Sequence, residues 1–360
     1  MIQPSFLLMV GLLFGLGVDT SAQSSQRQND GFVSLPETVE LALVVAALSE
    51  LGRQKGQQID RGGTYFEEVE AHFSAFANQP AVTNLSADFN LPRLAGNAAD
   101  FAFDSDGRLL EVDSSGSLWN DTEGDLFRKM RSELEAFAQA SDFRDFYEKH
   151  RDDYAVLIQA TESMINSDDM QNWLEAEFSA RPGPPRVIVS PLMAGLNWTT
   201  LYKAEQRIWI RAPDPSIAAS GSSLDRMRFA QWVFTEVDHA YVNPATAKLT
   251  DKIAVAFTKT QIWASPGAAA NYPTAELQFN EYMTWATFLL YASDRLAPDE
   301  FITLKAEVIK TMVGGRGFRA FEAFADQAML LRERSNSPVE KTIPVLMQWS
   351  QAYADSSEAD

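Results

Sequence analysis

LDRMRFAQWVFTEVDHAYVNP, residues 224–244, is the stretch whose reading decides the fold. Ser222 and Ser223 precede it, with Asp225 three residues after Ser222 in the spacing of a reciprocal N-terminal cap; Asn243-Pro244 is expected to end the helix. At about 100° per residue, Thr235 and His239 fall about 40° apart on one face. Glu236 then lies about 60° to one side of His239, and Asp238 about 60° to the other side of Thr235. Four polar side chains thus crowd one turn flanked by Trp232, Val233, Phe234 and Tyr241. Polar groups on such a face must be paired, solvated in a cleft, or bound to something.

Composition limits what that something is. Of 360 residues, 46% are hydrophobic, 49 are acidic and 30 basic, for a net charge of -19, and none is cysteine. The apolar fraction suffices for a buried core and excludes wholesale disorder. Disulfide scaffolds and cysteine-ligated zinc or iron–sulfur sites are excluded outright. Nucleic acid is excluded as a partner, because affinity for phosphates comes from cationic groups that this chain does not cluster. Only His72, His150 and His239 are present, so a metal site must lean on carboxylates. His72 and His150 sit on amphipathic helices and are expected to be solvated structural residues.

Residues 5–18, SFLLMVGLLFGLGV, form an uncharged apolar run too short for a comfortable membrane span, and Thr20 and Ala22 supply small residues where a signal peptidase reads. The expectation is a signal peptide at 1–22, a linker at 23–34, a secreted or periplasmic location, and no stable membrane anchor after cleavage. From 35 to about 180 helical spacing dominates. It runs through PETVELALVVAALSELG, expected to stop at Gly52, then TYFEEVEAHFSAFANQP, DLFRKMRSELEAFAQA, DFRDFYEKHRDDYAVLIQATESMI and DMQNWLEAEF. Asp106-Gly107 between apolar runs marks a small hairpin. After RPGPP at 181–185 the period changes, and RVIVSPLM and QRIWIRAP read as neighbouring strands. The acidic end, 353–360, reads as a frayed tail.

The TEVDH turn resembles the H-E-x-x-H helix of zinc peptidases, in which two histidines at i and i+4 hold zinc and the glutamate activates the attacking water. More closely, the order of features is similar to a family of secreted bacterial zincin-like proteins, known as a domain of unknown function, whose helix reads approximately H-E-[FL]-x-H-x-[FY]-x-N-P. TEVDHAYVNP keeps Glu236, His239, Tyr241, Asn243 and Pro244 of that pattern. VELALVVAALSELG, FYEKHRDDY, VIVSPLMAGLNW and GGRGFRAFEAFADQ extend the likeness, in order, over nearly the whole chain. The resemblance implies zinc as cofactor, a gluzincin-type third ligand on a later helix, and a peptide or protein as substrate or ligand. Glu281, in N-E-Y-M-T-W-A, stands for the glutamate of the family's E-x-x-x-R-A, 42 residues beyond His239, with Glu276 as the second choice. Trp285 stands where that family has arginine, which removes a cation from near the expected site. Thr235 stands where the first histidine would be, and a neutral hydroxyl is a poor zinc donor beside imidazole or carboxylate.

The fold expected is α+β, mostly helical and zincin-like, with a small mixed sheet packed on the TEVDH helix. Residues 35–352 are read as one unit, with a helical part at 35–184 and the sheet and active-site-type helices at 185–352. The function expected is that of a catalytically impaired or inactive metallopeptidase homologue that binds a peptide or protein. The alternative is an active zinc peptidase. It would use His239, Glu281 and a substitute for the ligand missing at Thr235 on the metal, either Asp238 swung toward it or Glu236, which would forfeit the base; otherwise Glu236 is the general base, with Tyr241 or Tyr272 at the oxyanion. The strand VIVSPLM would then offer a sheet edge to an extended peptide.

Overall fold

The computed structural model describes residues 32–54, 59–85, 91–112, 126–194, 198–202 and 205–357. The expected signal peptide, 1–22, lies outside them, as does the expected linker up to residue 31. Two compact units are present: residues 32–162 with 184–215, and 163–183 with the chain from 216 onward. The division between helical part and sheet expected at 184/185 is therefore not where the units divide, because residues 184–215 fold with the N-terminal helices.

The first unit holds all the described strands: β1 (Val33–Ser34), β2 (Phe101–Phe103), β3 (Leu109–Glu111), β4 (Arg186–Ser190), β5 (Trp198–Tyr202) and β6 (Glu205–Arg211). Its principal helices are α1 (Glu37–Leu48), α2 (Thr64–Phe73), α3 (Leu91–Ala98), α4 (Arg131–Ala140), α5 (Phe143–Lys149) and α6 (Arg151–Ile165). Every residue of α1 from Thr38 to Leu48 is buried, polar Thr38 and Glu40 included, so the helix is enclosed all round and not only along the stripe its spacing suggests. Its end comes at Ser49, whose hydroxyl donates to the Ala46 carbonyl. Gly52 does not stop it; a Cβ there would stand 1.8 Å from the Ala46 carbonyl oxygen, so glycine permits a close backbone approach. The helix expected across FYEKHRDDY breaks at His150. That histidine is structural but buried rather than solvated, with Nδ1 2.8 Å from the Phe146 carbonyl and Nε2 2.9 Å from Glu68 Oε2. His72 is exposed and lies 2.8 Å from the Ser141 carbonyl.

Strand order in the four-stranded sheet is β1-β4-β6-β5, with β1, β4 and β6 parallel and β5 antiparallel to β6. The sheet is mixed, as expected, but the link between RVIVS and QRIWIR contains a further strand, β5, which hairpins onto β6. Parallel neighbours cannot be joined by a tight turn, and the intervening strand occupies the length that the crossover requires. β4 lies between β1 and β6 instead of at an edge, so VIVSPLM does not offer the free edge expected of it. Its buried run Val187–Ser190 fits an interior parallel strand. Ile188 and Trp209 join the core built with the apolar residues of α1, so within this unit the sheet is covered by α1. The hairpin at Asp106-Gly107 forms as expected, with Phe103 opposite Leu109, Asp104 accepting from the amides of Asp106 and Arg108, and Gly107 at φ +77°.

The second unit is helical: α7 (Ser167–Glu177), α8 (Ser223–Val237), α9 (His239–Ala247), α10 (Ala275–Ser293), α11 (Pro298–Ile309), α12 (Phe321–Ser335) and α13 (Val339–Ser356), with shorter turns between. α10 is its axis, buried from Gln278 through Ala292. Phe234 of α8 stacks on Tyr291 of α10 with centroids 4.7 Å apart, and Trp173 of α7 meets the same tyrosine edge-on. Glu177 accepts two hydrogen bonds from Arg332 and one from the Val339 amide, which fixes α7 to α12 and to the start of α13. α13 runs on to Ser356, so the expected tail begins in helix. Among the described residues no helix is long and apolar enough to cross a membrane.

Candidate functional site

The Ser222–Asp225 capping box forms as expected and starts α8 with both reciprocal bonds. At its other end the helix is interrupted for one residue, Asp238, and α9 resumes at His239 and continues through Pro244. Pro244 therefore does not end the helix; the Thr246 hydroxyl donates to the carbonyls of Val242 and Asn243 within the same turn. α10 packs against both α8 and α9 and sets Glu281 opposite His239, with Nε2 3.6 Å from Glu281 Oε1. Asn243 Oδ1 lies 3.4 Å from His239 Nδ1. Thr235, Glu236, Asp238, His239 and Glu281 are all buried.

A residue to which the sequence pattern assigned no role completes the cluster. Arg316 follows a π-helical turn at Lys310–Gly315, and its Nη2 donates to Glu281 Oε2 at 2.6 Å and to the Tyr272 hydroxyl. The guanidinium carbon stands 4.9 Å from the Trp285 ring centroid and 5.3 Å from that of Phe318. Tight backbone anchoring aims it there. The Ser265 amide donates to the Gly317 carbonyl and the Arg319 amide to the Trp263 carbonyl; the Tyr282 hydroxyl donates to Trp263 and accepts from the Ala320 amide. Gly317 adopts φ +81°, and a Cβ at that position would stand 2.1 Å from Ser265 Oγ, so both conformation and space demand glycine. The sequence signal was present in the glycines around Arg316, which mark constrained backbone, but nothing local says what the arginine meets.

The expected loss of a cation at Trp285 is thus corrected. The indole does not leave the site without positive charge; it is a face for a guanidinium delivered from another segment. Tyr241, expected at the oxyanion, does not join the cluster: its ring lies against Phe178 and its nearest charges are Glu175 and Arg181. Tyr272 does join it, bound to Arg316. Glu276 sits half-buried in the first turn of α10.

Electrostatics follow from burying three acids beside one arginine. Burial, reinforced by Glu281 and opposed by Arg316, pushes the Glu236 carboxyl up to about 8. Burial, then Glu236 and Glu281, hold Asp238 well above the ordinary carboxylate range, and neither Asp238 oxygen has a hydrogen-bond partner among the described residues. Burial depresses His239, against the pull of Glu281. Burial works against the Arg316 charge, but Glu281 and Tyr272 outweigh it and the pKa rises. Burial thus favours the neutral forms of Glu236, Asp238 and His239, beside the Arg316–Glu281 ion pair.

As arranged, the donors do not fit a zinc ion, which needs deprotonated ligands converging on one point. The Thr235 hydroxyl donates back to the Gln231 carbonyl at 2.9 Å, and Glu281 Oε2 is taken by a guanidinium. Among the described residues no group of three or more histidine or carboxylate side chains is placed to hold a metal. The chain matches no family model, no curated protein and no solved structure.

Proposed function

We propose that this is an exported zincin-like protein that has lost metal-dependent hydrolysis and acts by binding a peptide or protein. The observation that carries this reading is the Arg316–Glu281 ion pair, which commits to an internal cation the carboxylate expected as the third metal ligand. Thr235 supports it, since its hydroxyl is bound to its own helix. Export rests on the apolar run at residues 5–18.

The competing reading, an active zinc peptidase, has one observation in its favour: Glu236, His239 and Glu281 do share one buried cluster. A single experiment separates the two. Untagged protein incubated with excess zinc is assayed for metal by mass spectrometry and offered a peptide library scored for both retained complexes and cleavage. The expected result is no stoichiometric zinc and peptides retained uncut. Cleavage that disappears in Glu236→Gln overturns the proposal.

A further inference from the structure

The geometry points to Arg316 as a built-in replacement for a metal ion: its guanidinium balances the charge of Glu281 from the Oε2 side, while His239 of the TEVDH turn faces Oε1, and so closes the site to external cations. This deepens the proposal above and rests on its zincin-like reading of the site. Three observations converge on it. The first is the pairing itself, a hydrogen-bonded contact of 2.6 Å between groups whose side chains are 11% and 2% exposed. A buried carboxylate is retained in ionised form only beside a compensating charge, and here the charge comes from within the chain.

The second is the housing of the guanidinium. Trp285 and Phe318 present ring faces at 4.9 and 5.3 Å, and the Tyr272 hydroxyl takes a hydrogen bond from the same Nη2. Arg316 is thus held by an ion pair, a hydroxyl and aromatic faces, a combination that an incidental surface arginine does not meet. The third is the backbone that delivers it. A π-helical turn ends at Gly315, and Gly317 accepts a positive φ where no other residue fits against Ser265. Such turns concentrate where a chain is re-aimed for a site.

The consequence is that the missing histidine is only half of what keeps zinc out. Supplying the ligand with Thr235→His leaves the guanidinium on Glu281, and a divalent cation would have to displace it. Removing the charge as well, with Thr235→His combined with Arg316→Met, frees Glu281 beside His239 and the new imidazole.

The test compares zinc binding, by isothermal titration with zinc chloride and by metal analysis after dialysis, in wild type, Thr235→His and the double variant, each checked for native helicity. Wild type and Thr235→His are expected to retain no stoichiometric zinc, and the double variant one ion per chain, bound at least about 10- to 100-fold more tightly than by Thr235→His, the range over which outer-shell partners tune metal sites. Thr235→His with Arg316→Lys keeps the charge and is expected to behave like Thr235→His alone. Should Arg316→Met fail to fold, Arg316→Gln keeps a donor for Glu281 and Tyr272 without the charge and carries the same expectation. Equal affinity in Thr235→His and the neutral double variant overturns the inference while leaving the proposed function intact. Stoichiometric zinc in wild type with cleavage that depends on Glu236 overturns the proposed function itself.

Discussion

Glu236→Gln should make the second unit less sensitive to pH, and the size of the effect follows from the burial of one carboxyl. Its pKa is held at about 8, against an ordinary 4.5. As pH rises above about 4.5 the unfolded chain releases this proton, whereas the folded chain keeps it until about 8. The folded state binds more protons throughout that window, so stability is greatest below it and falls as pH rises, by at most about 1.4 kcal/mol per unit. Integrated from pH 5 to pH 7 the loss is roughly 2.5 kcal/mol, and across the whole window just under about 5 kcal/mol. Glutamine has nearly the same shape and no proton to lose. Urea unfolding of both proteins at pH 5, 6 and 7, followed by tryptophan fluorescence, should therefore give a stability difference that moves in favour of Gln by roughly 2.5 kcal/mol over those two units. Groups common to both proteins, His239 and Asp238 among them, cancel in the comparison apart from their coupling to Glu236. A difference that stays constant with pH, or one that turns against Gln as pH rises, refutes the assignment of a buried, protonated Glu236.

Arg316→Ala is expected to destabilise by about 3–5 kcal/mol in urea unfolding, because it strands Glu281 without its counter-charge; a loss below about 1 kcal/mol would mean that the pair is dispensable. Gly317→Ala should cost about 2 kcal/mol from its left-handed backbone and the clash with Ser265 Oγ, and Ser265→Gly should recover the steric part in the double variant. In the first unit Glu40, fully buried with the Tyr65 hydroxyl 2.7 Å away, is pushed up to about 7 by burial, against hydrogen bonds from Ser190 and Tyr65. Its contribution likewise declines as pH rises between about 4.5 and 7, so Glu40→Gln should gain roughly 2 kcal/mol on wild type between pH 5 and pH 7, read from the same titrations.

What was legible in the sequence was local. The Ser222–Asp225 box, the Asp106-Gly107 hairpin and the crowding of Thr235, Glu236, Asp238 and His239 on one turn all follow from spacings of a few residues, and all form. Glu281 was reached by resemblance over 42 residues, and it does face His239. The failures lie where tertiary packing decides. The cover of the sheet depends on apolar surfaces distant in sequence, and α1, more than 130 residues before β4, shares its core. His150 looked solvated among charged neighbours, yet its ring sits against Phe146 and Tyr65 because the helix breaks at that residue. Tyr241 shares a helix with His239 but stands two residues on, about 200° round the axis, and so meets Phe178 on the other side.

Arg316 makes the clearest case for reading charge in space and not in sequence. Trp285 at the position of an expected arginine looks like the loss of a cation, but a large aromatic face in a buried acidic site is an invitation to a cation from elsewhere. Once Arg316 is counted, the cluster holds one positive group beside three acids, and burial favours the neutral form of Glu236 and Asp238. Glu281 couples arginine and acid: it holds Arg316 through Oε2 and reinforces the burial that pushes Glu236 up to about 8. On the proposed reading, a further metal ligand alone therefore does not bring a cation to Glu281; Arg316 has to move first.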